Sequence, residues 1–177
     1  MENTALIVID VQNALVLSEN PKLYKKEDVI SNISLILAKA RSCGIKVIYI
    51  KHSGGVGSLF ESGTEGFKIF SSVAPQSGEA IIVKRNGDAF FETELDDTLK
   101  SQGIKQLIVV GMQTDFCVNA TLHGAFKNKY ECLLINDAHS TFDRFPFKAS
   151  NLIRSHNHKW DGRLAEIVST KELLKSM

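Results

Sequence analysis

Six short apolar runs recur along the 177-residue chain: Thr4–Ile9, Ile45–Ile50, Ala80–Val83, Gln106–Val110, Cys132–Ile135 and Leu164–Val168. Most are rich in Ile and Val and nearly continuous in apolar character. A strand with one wet face alternates apolar and polar residues, whereas a strand covered on both faces, as in a parallel sheet, has no such need. Between most of the runs the apolar residues return at helical spacing. Val29, Ile33, Ile36, Leu37 and Ala40 share one helical face, and Gly44 stops that helix. Leu95, Leu99 and Gln102 precede Gly103 in the same way, Val118, Leu122, Ala125 and Phe126 make a third stripe, and Ala149, Ile153 and Trp160 a fourth. Strands alternating with helices read as an α/β fold, doubly wound, with three α/β/α layers around a six-stranded parallel sheet. Residues 1–177 are expected to form a single domain, since no repeat or linker-like composition divides them.

Composition narrows the function classes. Lys and Arg number 21 against 20 Asp and Glu, a net charge of +1, so there is no electrostatic case for nucleic acid or an anionic membrane as partner. No apolar run reaches the ~18 residues of a membrane span, and the start of the chain lacks the basic and small-residue marks of a signal peptide, so a cytoplasmic protein is expected. The three cysteines show no Cys-x-x-Cys spacing, which argues against a disulfide framework and a structural zinc site. Cys43 and Cys132 read as packing residues.

In open parallel sheets, sites form beyond the carboxyl ends of the strands. Asp10 follows Ile9, His52 stands two residues after Ile50, Lys84 follows Val83, and Asp137 stands two after Ile135. Gly111 opens Gly111-Met112-Gln113-Thr114-Asp115-Phe116-Cys117, which places Cys117 in the first turn of the third helix with Thr114 as a candidate N-cap. A helix N-terminus and a neighbouring ammonium both favour thiolate over thiol, which lowers a cysteine from its free value of about 8.5. Lys84 would be that cation, Asp10 the proton acceptor, and backbone N–H groups of the helix start could hold an oxyanion. Singly, each residue has a plainer reading: Asp10 as a helix cap, Lys84 as a solvated surface lysine, Cys117 as a small buried residue. Agreement of three separate strand ends is more specific than any of them. A dinucleotide site is excluded, because Asp10-Val11-Gln12 stands where a Gly-rich turn would be needed. The glycine-rich stretch His52–Ala74 reads as a functional loop.

Asp10-Val11-Gln12-Asn13 after the first strand, Lys84 after the third and Gly111-x-x-Thr114-x-x-Cys117-Val118 after the fourth resemble the isochorismatase-like cysteine hydrolases, which include nicotinamidases, N-carbamoylsarcosine amidohydrolases and ureidoacrylate amidohydrolases. The resemblance extends to Gly54-Gly55-Val56-Gly57-Ser58-Leu59, to Ala89-Phe90-Phe91-x-Thr93-x-Leu95 and to Asn136-Asp137-Ala138, and so spans nearly the whole chain. It implies a strand order 3-2-1-4-5-6, in which the Lys84 stem must cross about 10 Å to reach Asp10. It implies a catalytic triad of Asp10, Lys84 and Cys117, a cis peptide between Met112 and Gln113, and an oxyanion hole from the N–H groups of Gln113 and Cys117. Gln12, Leu15, Phe90 and Thr114 become candidate pocket walls. The implied reaction cleaves a C–N bond of a small amide, ureido or carbamoyl compound through a thioester. No cofactor and no metal are implied: metal-dependent nicotinamidases gather several His near the second strand, whereas this chain offers His52 alone, read as structural or gate-lining. Asp88, where the family often has Ser, is expected to point outward, and His156 and His158 to be polar residues near a helix end. A homodimer or higher homo-oligomer acting on a small molecule is expected. The competing readings are an isochorismatase-type hydrolase, which needs no thiol, a thiol redox-reactive protein, and a non-catalytic scaffold on the same fold.

Overall fold

The computed structural model describes residues 2–177. Six parallel strands form one sheet: β1 (Thr4–Ile9), β2 (Lys46–His52), β3 (Ala80–Lys84), β4 (Gln106–Met112), β5 (Glu131–Ser140) and β6 (Glu166–Val168), in the order β3-β2-β1-β4-β5-β6. The helices are α1 (Asn13–Val16), α2 (Lys26–Ser42), α3 (Leu95–Ser101), α4 (Asn119–Lys127), α5 (Ala149–Trp160) and α6 (Thr170–Ser176). Every residue of β1 is buried, which is why its sequence shows no alternation. On one face Leu6, Val8, Val47, Tyr49 and Ile108 pack with α2 and α6 through Ile33, Ile36, Leu37 and Leu173. On the other, Ile7, Ile9, Ile48 and Val109 pack with α3, α4 and α5 through Leu95, Leu99, Leu122, Ala125 and Trp160. No helix among the described residues is long and apolar enough to cross a membrane.

Two strands differ from the sequence reading in ways that shape the site. β2 runs on to His52, which pairs with Lys84 across the sheet, so both are strand residues rather than loop residues after a strand. β5 is ten residues long and bulged: Val109 faces Leu134 but Gly111 faces His139, so residues 135–138 stand opposite Val110 alone. Asp137 therefore does not leave a strand end. Its Oδ1 accepts the backbone N–H of Thr170 at 2.8 Å and the Thr170 hydroxyl at 2.6 Å, tying down the start of α6. That helix begins with a reciprocal Ser169–Glu172 capping box. Cys43 is exposed, not packed: the helix it follows has already turned its apolar stripe to the sheet. Cys132 is buried in the core.

Candidate active site

Asp10 terminates β1 with its N–H bonded to the Ile50 carbonyl at 3.0 Å and with φ of 49°, a left-handed conformation that Asp tolerates and that concentrates at functional sites. Beside it, Gly111 has φ of 121°, and a Cβ there would lie 2.1 Å from the Ile9 carbonyl oxygen. Glycine is thus required for β4 to close on β1 next to the acid. Lys84, the last residue of β3, extends beneath β2 to Asp10. Its ammonium lies 2.8 Å from Asp10 Oδ2 and donates to Cys117 Sγ at 3.1 Å and to the Asn86 carbonyl at 3.0 Å. All three ammonium donors are committed. The lysine and aspartate side chains are 0% and 2% exposed.

Cys117 lies in a π-helical turn, Thr114–Val118, that leads into α4. The Gln113 carbonyl accepts the N–H groups of Phe116 and Val118 at 3.1 Å each and passes over that of Cys117 between them. Such widened turns are frequent at functional sites because they break the regular ladder. The Met112–Gln113 peptide is cis. Thr114 does not cap the turn. It is buried, and its hydroxyl bonds His139 Nδ1 at 2.8 Å, while His139 Nε2 meets Asn157 Oδ1 at 2.9 Å. Burial pushes His139 down to about 4, so this imidazole is a neutral brace between the π-turn and α5.

The thiol differs from the sequence expectation. Burial and the Asp10 carboxylate push Cys117 up to about 12, and the opposing pull of Lys84 does not compensate. Burial likewise raises Asp10 above the ordinary carboxylate range despite the adjacent ammonium. For Lys84, burial works against the charge, but Asp10 and Cys117 outweigh it and hold the ammonium above its usual range. The resting site is a neutral thiol beside an acid that holds protons more tightly than most, both tied to a permanent cation.

Asp10, His52 and Cys117 each present a donor atom, all within 4.8 Å of one another. Lys84 already bonds Asp10 and Cys117, and its fixed positive charge beside them opposes a metal cation there. His52 is half-buried, its ring edge-on to Phe60 at 5.2 Å, and it is lowered by burial and by Lys84.

A cleft of about 580 Å³ opens over the trio, within the range of small-molecule sites. Of the candidate walls, Leu15 lines it, and His52 lines it too. The other three candidate walls do not. Gln12 is fully buried, its carboxamide oxygen accepting the His52 N–H at 2.8 Å and its nitrogen donating to the carbonyls of His52 at 3.1 Å and Phe67 at 3.0 Å. It is a clamp behind the wall, because a carboxamide can pair both the backbone N–H and the backbone carbonyl of one residue. Phe90 stacks on Tyr130 at 5.5 Å, and Thr114 faces His139. Asp88 turns away from the cleft, accepting the Phe90 N–H at 2.9 Å and packing on Gly124, where a Cβ would lie 2.3 Å from its Oδ1. His156 packs on Trp160 at 5.0 Å.

The remaining lining includes Phe60, Asp115, Phe116, Ala120 and Arg144, none of which the sequence reading singled out. Arg144 sits in a tight turn closed by Arg144–Phe147 backbone bonds of 2.8 and 2.6 Å. Its guanidinium stacks on Phe116 at 4.2 Å and lies 3.6 Å from Asp115 Oδ2. The Phe-Pro-Phe step at 145–147 signals a turn, but no local pattern tells that the turn comes back against Phe116 and Asp115.

Sheet order and geometry together define a doubly wound α/β protein whose candidate site lies at the carboxyl ends of its strands. A family model described as the isochorismatase domain matches residues 4–159. YddQ, an uncharacterized isochorismatase family protein of Bacillus subtilis, is 35% identical over 78% of this chain and 78% of its own. The ureidoacrylate amidohydrolase RutB of Pantoea ananatis is 30% identical over 84% of this chain and 74% of its own. A solved isochorismatase structure from Pseudomonas putida is similar with a TM-score of 0.91 at 30% identity, over 96% of this chain and 89% of that one. The chain belongs to the isochorismatase family of hydrolases.

Proposed function

We propose that this protein is a cysteine-dependent hydrolase that opens a C–N bond of a small amide, ureido or carbamoyl compound through a thioester on Cys117, without a metal ion. One observation carries the reading: a buried ammonium bonds the Asp10 carboxylate and the Cys117 sulfur at once, at 2.8 and 3.1 Å. A scaffold has no need of that arrangement, and a vinyl-ether hydrolase has no need of the sulfur. A thiol kept protonated by burial is also a poor target for peroxide, which disfavours the redox reading. The likeness to an amidohydrolase agrees in reaction type.

In the proposed cycle Asp10 takes the Cys117 proton as sulfur attacks the carbonyl carbon. Lys84 balances the negative charge passing between the two. The N–H groups of Gln113 and Cys117 hold the tetrahedral oxyanion. As the C–N bond breaks, Asp10 passes its proton to the leaving nitrogen, and an amine or ammonia departs. Water then attacks the thioester, giving up a proton to Asp10, and the C–S bond breaks. The acid is released, and the sulfur recovers the proton from Asp10. Arg144 is the one Lys or Arg that lines the cleft among the described residues, and it fits an anionic substituent on the substrate.

The test is turnover of a panel containing nicotinamide, N-carbamoyl amino acids and ureido acids by wild type and by Cys117→Ala and Asp10→Asn. Hydrolysis by wild type and its loss in both variants are expected. Undiminished hydrolysis by Cys117→Ala would overturn the cysteine mechanism.

A further inference from the structure

Two buried side-chain polar atoms lack a hydrogen-bond partner among the described residues: Asp10 Oδ1 and His52 Nδ1. Buried polar groups are nearly always paired, so each orphan calls for an explanation, and two in one site call for a shared one. One ligand atom from each of Asp10, His52 and Cys117 lies within 4.8 Å of the other two, so a carboxylate oxygen of Asp10 and a ring nitrogen of His52 stand that close. A single water with bonds of about 2.8 Å spans such a gap. His52 is also held with unusual care. Gln12 pairs both its N–H and its carbonyl, β3 pairs it with Lys84, and Phe60 abuts its ring. A wall residue needs none of this.

We infer that His52 and Asp10 together hold the water that hydrolyses the Cys117 thioester. The inference rests on the cysteine mechanism proposed above. In the tautomer with its proton on Nε2, His52 Nδ1 is an acceptor, as is Asp10 Oδ1. Water donates one hydrogen to each, and an oxygen lone pair remains free for the carbonyl carbon. On attack, the O–C bond forms, the proton directed at Oδ1 passes to Asp10, the C–S bond breaks, and the sulfur takes that proton back. His52 gains and loses no proton. It fixes where the water stands, which confines its effect to the second half of the reaction. The ammonium of Lys84, bonded to Asp10 Oδ2, keeps that carboxylate turned so that Oδ1 faces the water.

p-Nitrophenyl acetate separates the halves. Acetyl transfer to Cys117 releases p-nitrophenol as a burst, and hydrolysis of the acetyl-thioester sets the steady rate. His52→Ala and His52→Phe are expected to keep the burst rate and amplitude while the steady rate falls on the order of tenfold to a hundredfold, with acetyl-Cys117 accumulating in intact mass spectra. His52→Gln, which retains an acceptor, is expected to recover part of the loss, and that recovery separates a water contact from a packing effect. The inference is overturned if burst and steady rates fall in parallel, or if the steady rate does not change. Absence of both burst and adduct in wild type contradicts the cysteine mechanism itself and is read separately from the His52 result.

Discussion

The Lys84 ammonium and the Asp10 carboxylate form a 2.8 Å ion pair that is almost completely shielded from solvent. Each side chain comes from a strand end, and β2 lies between them in the sheet. A buried pair is worth little against an apolar replacement of both members, but loss of one member leaves a bare charge in the interior. Lys84→Met should therefore cost about 3–5 kcal/mol in urea unfolding. The double variant Lys84→Met with Asp10→Asn should be more stable than the sum of the single losses. Strict additivity would mean that the two charges do not interact.

Cys117, raised from 9.0 to about 12, should alkylate slowly with iodoacetamide at neutral pH and faster only above pH 9, when followed by peptide mass spectrometry to separate it from exposed Cys43. The linkage has a definite sign. Between pH 9 and about 12 the folded protein keeps a proton that the unfolded chain has lost, so the stability owed to this group is whole below pH 9 and is lost as pH rises. Cys117→Ala should flatten that part of the alkaline unfolding profile. A reactivity plateau reaching down to pH 6 would mean a preformed thiolate.

Gln12→Ala removes three hydrogen bonds from a fully buried amide and exposes the His52 peptide to an unpaired interior. The expected loss is about 1–3 kcal/mol. Because Gln12 does not touch the cleft, the kinetic loss should fall on kcat, with KM nearly unchanged. A KM effect alone would put Gln12 in the substrate's path.

Arg144→Gln should raise KM for carboxylate-bearing amides on the order of tenfold to a hundredfold, the value of a charge-assisted hydrogen bond, and leave kcat and neutral amides nearly untouched. Equal losses for anionic and neutral substrates would indicate that the residue shapes the turn at 144–147 and does not read charge.

The strand and helix periods were enough to place Asp10, Lys84 and Cys117 at one edge of the sheet, because unbroken apolar runs and 3.6-residue stripes are local signals. Resemblance then supplied the strand order that lets Lys84 reach Asp10. The pocket walls were less legible. Gln12, Phe90 and Thr114 sit beside site residues in sequence, yet their side chains turn to His52, Tyr130 and His139, all distant in the chain. Arg144 reaches the cleft from a turn closed on itself by Arg144–Phe147 backbone bonds, well beyond the motif residues in sequence, and it meets Phe116 and Asp115 only through the folded arrangement. The thiol's upward shift was likewise hidden: proximity to Lys84 could be read from the sequence, but the depth of burial that overrides it could not.

In the proposed reaction Cys117 carries the acyl group. Acid-quenched single turnover of a hydrolysed amide, followed by intact mass spectrometry, tests it directly. The expected result is a transient adduct of the acyl mass on the Cys117 peptide, released by hydroxylamine and absent from Cys117→Ala, which does not turn over. Turnover at the wild-type rate with no adduct on Cys117, or by Cys117→Ala, would contradict it.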